Sequence, residues 1–196
     1  LLSQIIHLLL EVVFGLLVGA CLLRLYMLLM KVPFRGGSNP VAHFVVAVSD
    51  WLVLPIRKLL PQAARSISGV DVSCAVAALL LSFAHQALRW FLVGPAAMAP
   101  DALGMIFLLA LFDLLRLALS GLMVLLIVHV ILSWFGQGSP MATILRLLCE
   151  PLLRPIRRIV PLVGGIDLSP LVAIVFLQIA QIVLMNGERA MVARFY

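Results

Sequence analysis

Charge is what this sequence has least of. Asp, Glu, Lys and Arg make up 11% of its 196 residues, against roughly 25% in soluble domains. That shortage excludes an ordinary solvated surface, and at 64% hydrophobic no globular core of this size could hide the apolar side chains. A bilayer can, because lipid tails replace the missing core as the apolar solvent. Acids are scarcer than bases, 8 against 14, leaving a net charge of +6. The cations fall in short blocks between apolar runs, where they set orientation and meet anionic lipid headgroups. Aromatic residues are not interleaved with them, so no nucleic-acid contact is expected. The three cysteines, Cys21, Cys74 and Cys149, are single and far apart, which gives neither a disulfide framework nor metal spacing. His7, His43, His85 and His129 have no second ligand at metal spacing, so no metal and no haem or other cofactor is expected. Nucleotide-binding motifs, nucleophile elbows and paired catalytic carboxylates are missing too, and no enzyme is expected.

What is present is a set of long apolar runs. A helix needs about 20 mainly apolar residues to cross the hydrocarbon layer, and four stretches approach or exceed that. They run from about Ile5 to Met30, Cys74 to Phe91, Leu103 to Leu132, and Pro170 to Met185. The second and fourth are short. No cationic segment precedes the first run and no small-residue cleavage site follows it, so it reads as a permanent span rather than a signal peptide. Lys31, Arg35, Arg57, Lys58 and Arg65 lie between spans one and two, and Arg146, Arg154, Arg157 and Arg158 between spans three and four. The connection between spans two and three has no cation and one acid, Asp101. The positive-inside rule places both basic loops in the cytoplasm and both termini outside.

Self-comparison adds an internal repeat. Pro40, Pro55, Arg57 and Pro61 recur as Pro140, Pro155, Arg157 and Pro161, an offset of 100 throughout. Asp50/Glu150 and Lys58/Arg158 keep their charge at that offset, and Asp71-Val-Ser73 matches Asp167-Leu-Ser169 after a short length change. The expected organisation is two tandem units, residues 1–98 and 99–196. Each holds two spans, so the copies share an orientation and are parallel rather than inverted.

Each basic loop begins with a segment too apolar to float in water, 41–54 and 141–153. Pro40 and Pro140 suit a first helical turn, while Pro55 and Pro155 disfavour helix in the residue before them. The expectation is an interfacial amphipathic helix, a break, a short basic turn, and a stop at Pro61 or Pro161. Arg57, Lys58, Arg154, Arg157 and Arg158 then face lipid phosphates or a partner's acids, or else form a plain solvated charge run. Ser73 and Ser169 are expected N-caps of spans two and four, with Asp71 and Asp167 bonding loop amides. Arg24 is placed to snorkel to the interface.

Ionisable groups within lipid are costly and carry a functional hypothesis by default. Glu11, His85, Arg89, Asp113, Arg116, Gln178 and Gln181 all fall in the outer half of their spans. They are expected to form one polar cluster, in which Glu11 and Asp113 balance Arg89 and Arg116. Such a cluster is either a charge-neutral clamp between helices or a vestibule for an ion or proton.

Ser133-Trp134, Pro140, the run from Glu150 through Arg154-Pro155-Ile-Arg157-Arg158 to Pro161, and Gly164-Gly165-Ile-Asp167-Leu-Ser169-Pro170 resemble the YggT/YlmG family of bacterial and chloroplast membrane proteins. The first half carries a degraded form. Trp51 stands for the proline after the acid, Leu54 for the first arginine, and Ser68-Gly69 for the paired glycines. The resemblance implies architecture more than activity, since family members are linked to osmotic stress and ion homeostasis, to cell division and envelope organisation, and in chloroplasts to cytochrome b6f haem attachment and nucleoid distribution. Together these readings give an all-α membrane protein of about four transmembrane helices in two parallel repeats, each with an interfacial helix. The expected role is a non-enzymatic scaffold, assembly or accessory protein of the bacterial inner membrane, contacting anionic lipid and other membrane proteins. The alternative is an ion-handling protein, for potassium or protons, in osmotic adaptation.

Overall fold

Leucine, alanine, valine and methionine runs without internal proline favour helix, and in lipid only helices and closed barrels satisfy every backbone polar group. The computed structural model describes residues 2–30, 32, 40–59, 66–67, 70–93, 102–135, 139–160 and 167–195. Among them are six α-helices: α1 (Leu2–Leu29), α2 (Pro40–Leu59), α3 (Val72–Val93), α4 (Ala102–Phe135), α5 (Pro140–Arg157) and α6 (Ser169–Phe195). Two two-residue strands, β1 (Ser66–Ile67) and β2 (Val70–Asp71), pair antiparallel just before α3, with Ser66 opposite Asp71 and Ile67 opposite Val70.

Four helices are long and apolar enough to cross a membrane, over Gln4–Leu29, Val72–Phe91, Leu103–Trp134 and Ser169–Ala193. The expected end of the fourth span, Met185, is too early. The helix continues through Asn186, Glu188 and Arg189, because polarity decides where lipid ends rather than where a helix ends. Helix α4 has 34 residues, roughly 50 Å at 1.5 Å per residue. It exceeds a bilayer of about 40–45 Å including headgroups, so it tilts or projects. Much of its surface is exposed apolar side chain, Val124 at 58% among them, as a lipid-facing helix requires.

The chain divides into two compact units. One comprises Leu1–Leu25 and Phe44–Ala118, the other Tyr26–His43 and Leu119–Tyr196. In the first, α2 buries a stripe of Val45, Ser49 and Val53. Arg24 of α1 donates through Nη1 to Asp50 Oδ1 at 2.6 Å and to Ser49 Oγ at 2.7 Å, while Ser49 donates to the Val45 carbonyl at 2.7 Å. Arg24 therefore does not snorkel freely; a carboxylate within reach on α2 neutralises it where it lies. In the second unit α5 buries Leu145, Leu148, Cys149 and Leu153, and the Tyr26 hydroxyl donates to the Leu148 carbonyl at 2.6 Å. Cys149 and Leu153 join Leu126 of α4 and Ala173 and Leu177 of α6 in one core cluster.

The sequence offsets run through burial as well. Val45, Ser49 and Val53 correspond at 100 residues to Leu145, Cys149 and Leu153, all buried. At 96 residues, buried Ser73, Ala77 and Leu81 of α3 correspond to Ser169, Ala173 and Leu177 of α6. Spacings of four place each set on one helical stripe.

Two expectations about the loops are corrected. No break occurs at Pro55 or Pro155: both lie inside continuous helices, as does Pro151. An interior proline deprives the carbonyl four residues earlier of its donor. Those carbonyls belong to Trp51, Leu147 and Pro151, all exposed residues, where an aqueous interface can solvate them. Val53 and Leu153, both buried, hold the same turns against the bundle. The helices end at Leu59 and Arg157, and Pro61 and Pro161 lie outside the described residues. Second, Ser73 and Ser169 fall within the first turns of α3 and α6 rather than before them. The capping acceptor at α6 is Asp167, whose Oδ1 accepts the Ser169 amide at 2.9 Å. The side chain of Asp71 lies outside the described residues. At α5 the cap is Ser139, whose Oγ accepts the Ala142 amide at 3.1 Å, with proline at the first helical position.

Asp167 also fastens the end of α5 to the start of α6. Its Oδ2 accepts from Arg157 Nε at 2.9 Å, while Arg157 Nη1 donates to Glu150 Oε2 at 3.1 Å. Partial burial pushes the Asp167 carboxyl up, but hydrogen bonds from Ser169 and the Arg157 guanidinium outweigh it and hold the pKa below its ordinary value of 3.8. A carboxyl depressed on folding stabilises above its unfolded pKa, and that contribution is lost as pH falls through the folded value. Thermal unfolding in detergent should therefore show Asp167→Asn less stable than wild type at pH 6, with the gap closing below about pH 4. A gap independent of pH would show that the carboxylate charge does not hold this junction.

Candidate functional site

The first unit gathers ionisable side chains from three apolar helices: near the ends of α1 and α3, and a third of the way along α4. His7, Glu11 and Phe14 share one face of α1 by their spacing of four and three, as do Ser82, His85 and Arg89 on α3. Asp113 and Arg116 are three residues apart on α4. The His85 ring stacks on Phe14 with centroids 5.0 Å apart and planes at 21°. Its Nδ1 lies 3.5 Å from Asp113 Oδ2, and Arg116 Nη2 donates to Asp113 Oδ1 at 2.9 Å. The His85 side chain is buried and the Asp113 side chain 16% exposed, whereas Arg116 is half exposed. Asp113 thus sits between a constant cation and an imidazole that becomes one when protonated.

Beside this pair is a recess of about 270 Å³ lined by His7, Glu11, His85 and Arg89. Glu11 and Arg89 are both exposed, and among the described residues neither has a hydrogen-bond or ion-pair partner. From the residue numbers within Gln4–Leu29 and Val72–Phe91, His7, Glu11, His85 and Arg89 lie roughly 5, 10, 9 and 3 Å from their span ends along the helix axis. The site can hold a small polar group or relay a proton between imidazole and carboxylate.

Of the seven residues expected to cluster, five belong to this unit: Glu11, His85, Arg89, Asp113 and Arg116. Gln178 and Gln181 belong to the other. There Gln181 Nε2 donates to Ser120 Oγ at 3.1 Å, and Gln178 is exposed on α6. Sequence reasoning misses His7, which stands unaccompanied by any metal-spaced ligand. The signal is its spacing of four from Glu11. Ser120 carries no signal, since its role depends on which turn of α6 packs on α4.

A second group of charges lies on α2 and α5. Residues 51–59 and 151–159 show one and the same order of exposed, half-buried and buried positions. Arg57, Lys58, Arg154 and Arg158 are exposed, flanked by Leu59 at 85% and Ile159 at 83% exposure. Pro55 and Pro155 are exposed beside them. Arg157 is engaged by Glu150 and Asp167. Burial pushes the Cys149 thiol up to about 11, against a smaller downward pull from Arg157, so it stays a protonated packing residue. Among the described residues no group of three or more His, Cys, Asp or Glu side chains is placed to hold a metal ion.

Comparison with known proteins finds relatives over most of the chain. The chain is 33% identical to the protein YggT of Escherichia coli K12 over 174 residues, covering 87% of this chain and 84% of that protein. It is 31% identical to the Pseudomonas aeruginosa protein PA0392 over 175 residues, 87% of this chain and 83% of the other. A Vibrio alginolyticus protein encoded in the proC 3′ region is 30% identical over 175 residues, 88% of this chain and 89% of the other. No solved structure matches. The sequence model described as CCB3/YggT matches residues 1–92 and 108–187, reaching all four spans and both amphipathic helices; this membrane protein belongs to the CCB3/YggT family.

Proposed function

We propose that this protein is a non-enzymatic scaffold or accessory subunit of the bacterial inner membrane, which holds anionic lipid at α2 and α5 and other membrane proteins along its helices. The observation that carries the reading is the shared exposure pattern of 51–59 and 151–159. In each segment a buried stripe fixes the helix, and cations flanked by exposed apolar side chains are left outward. That is the composition of a helix lying in the headgroup layer, where apolar area and cations both contribute to binding. The two basic segments face the cytoplasm by the excess of arginine and lysine, and the two repeats run parallel.

A second reading, ion handling, is favoured by one specific feature, the His85–Asp113 pair beside an open recess. The scaffold reading treats the same pair as a clamp. Asp113 and Arg116 cancel there at 2.9 Å, and paired charge is how membrane interiors tolerate ionisable groups.

Three outcomes test these readings. Cys21, Cys74 and Cys149 are buried, so cysteines introduced as Lys58→Cys and Arg158→Cys report on topology against a low background. An impermeant maleimide should label both in inverted vesicles and neither in intact spheroplasts. Labelling of the two from opposite sides would overturn the parallel arrangement. Mild detergent extraction should recover the protein with partner proteins and anionic lipid. The double variant Arg154→Gln, Arg158→Gln should retain less of that lipid, by about fivefold per cation at roughly 1 kcal/mol each; recovery alone, with lipid unchanged in the variant, counts against a scaffold. Asp113→Asn should lower the unfolding free energy by roughly 2–3 kcal/mol, with no specific potassium or proton flux in wild-type vesicles. Specific wild-type flux, abolished in an Asp113→Asn protein of unchanged stability, establishes ion handling instead.

A further inference from the structure

We infer that the recess lined by His7, Glu11, His85 and Arg89 binds the headgroup of a zwitterionic phospholipid, one that carries a phosphodiester and a primary ammonium. The inference uses different residues from the lipid contacts of α2 and α5 and does not rest on the scaffold reading.

Four observations lead there. First, Glu11 and Arg89 are exposed charges in apolar helices with no partner among the described residues, while Asp113 and Arg116 in the same unit are paired at 2.9 Å. Charges at a membrane interface that no described side chain claims are open to groups from outside the chain. Second, the unsatisfied charges are one of each sign. A bound anion alone would satisfy Arg89 and repel Glu11, and a cation alone would do the reverse. A phosphodiester joined to an ammonium offers both signs with no net charge. Third, the four lining residues lie roughly 3–10 Å from their span ends along the helix axis. One leaflet's hydrocarbon is about 15 Å deep, so a headgroup drawn down into the recess reaches them without leaving its leaflet. Fourth, about 270 Å³ falls just under the range of roughly 300–1,000 Å³ typical for drug-sized ligands. It suits a headgroup whose acyl chains remain outside among the exposed apolar residues of α1, such as Leu8, Leu9 and Val12.

The lining also chooses between zwitterions. A primary ammonium donates N–H to a carboxylate, whereas a quaternary ammonium has none to donate and is held by cages of tryptophan, tyrosine or phenylalanine. No such residue lines the recess among the described residues. Glu11 accepts the ammonium, Arg89 donates to the phosphodiester oxygens, and His7 and His85 supply further ring nitrogens at the wall. His85 turns its Nδ1 side to Asp113 at 3.5 Å and its ring face to Phe14.

The test uses the full-length protein purified in a neutral detergent and offered vesicle-derived phosphatidylethanolamine, phosphatidylcholine and phosphatidylglycerol in equal amounts. Retained lipid is counted by native mass spectrometry. Wild type should retain phosphatidylethanolamine at least fivefold over the other two. Glu11→Gln should bring phosphatidylethanolamine down to the phosphatidylcholine level. Arg89→Gln should lower it as far, and Arg89→Lys should restore most of it. Thermal unfolding is followed for each variant, and Val124→Ala on the lipid-facing side of α4 serves as a control that leaves the preference intact. Should Glu11→Gln fail to fold, Glu11→Asp, which keeps the charge and shortens its reach, is expected to weaken the preference by less. Equal retention of the three lipids, phosphatidylglycerol retained above phosphatidylethanolamine, or a preference unchanged in both the Glu11 and Arg89 variants would overturn the assignment.

Discussion

In the hydrocarbon layer no water is available to a polar group, so each must find its partner within the chain or stay at the edge. The backbone meets this constraint by being helical, and the side chains meet it one contact at a time. Arg24 has Asp50 and Ser49, Ser49 has the Val45 carbonyl, Tyr26 has the Leu148 carbonyl, and Gln181 has Ser120. These contacts also determine which elements adhere. Lipid tails are as apolar as leucine, so hydrophobic burial gives spanning helices little reason to associate, and packing with hydrogen bonds has to supply it. Arg24 docks α2 in the first unit, and Tyr26 two residues later docks α5 in the second. Losing Asp50 would leave the Arg24 guanidinium, 13% exposed, with one hydroxyl partner and little water, so the Arg24–Asp50 contact is held in place by the penalty of losing it.

The duplicated pattern shows how one plan tolerates two solutions. The buried stripes of α2 and α5 match at 100 residues, and those of α3 and α6 at 96. The acid at 50 and 150 is shared, but its partner is not. Asp50 is taken by Arg24 of α1, whereas Glu150 is taken by Arg157 of its own segment. In the second unit Tyr26 and the Cys149 thiol, which donates to the Leu125 carbonyl at 3.7 Å, serve the docking that Arg24 and Ser49 serve in the first. Shape is kept and the polar connections are exchanged, because a stripe of fixed volume admits few substitutes while a carboxylate accepts any cation within reach.

The spans were legible because composition and length act directly on the transfer energy of a helix, and four apolar runs admit few alternatives in lipid. Helices α2 and α5 were legible from apolar segments between basic ones. Their continuity through Pro55, Pro151 and Pro155 was not, since a local rule about proline cannot anticipate that the residues left without a donor, Trp51, Leu147 and Pro151, are exposed while Val53 and Leu153 are buried. In the candidate site, the identities of Glu11, His85, Arg89, Asp113 and Arg116 stood out as polar letters in apolar words. Their grouping did not follow from spacing alone: His85 meets Asp113 only through the packing of α3 and α4, and the spacing of four between His7 and Glu11 shows a shared helix face but not which helix faces it.

Partnering separates structural charge from charge available for work. Arg24 is 13% exposed with an acid at 2.6 Å, and any ligand competing for it would have to break a contact already made. Asp113 is shared between Arg116 and His85 and is almost equally engaged. Glu11 and Arg89 are exposed, close to their span ends, and unclaimed by any described side chain. A position near the span end keeps the cost of an unpaired charge within what headgroups and water can offset, so these two can stay charged while no described side chain pairs with them. Two residues kept charged, opposite in sign and facing one recess are positioned to recognise a molecule carrying both signs itself, and the layer in which they lie is made of such molecules.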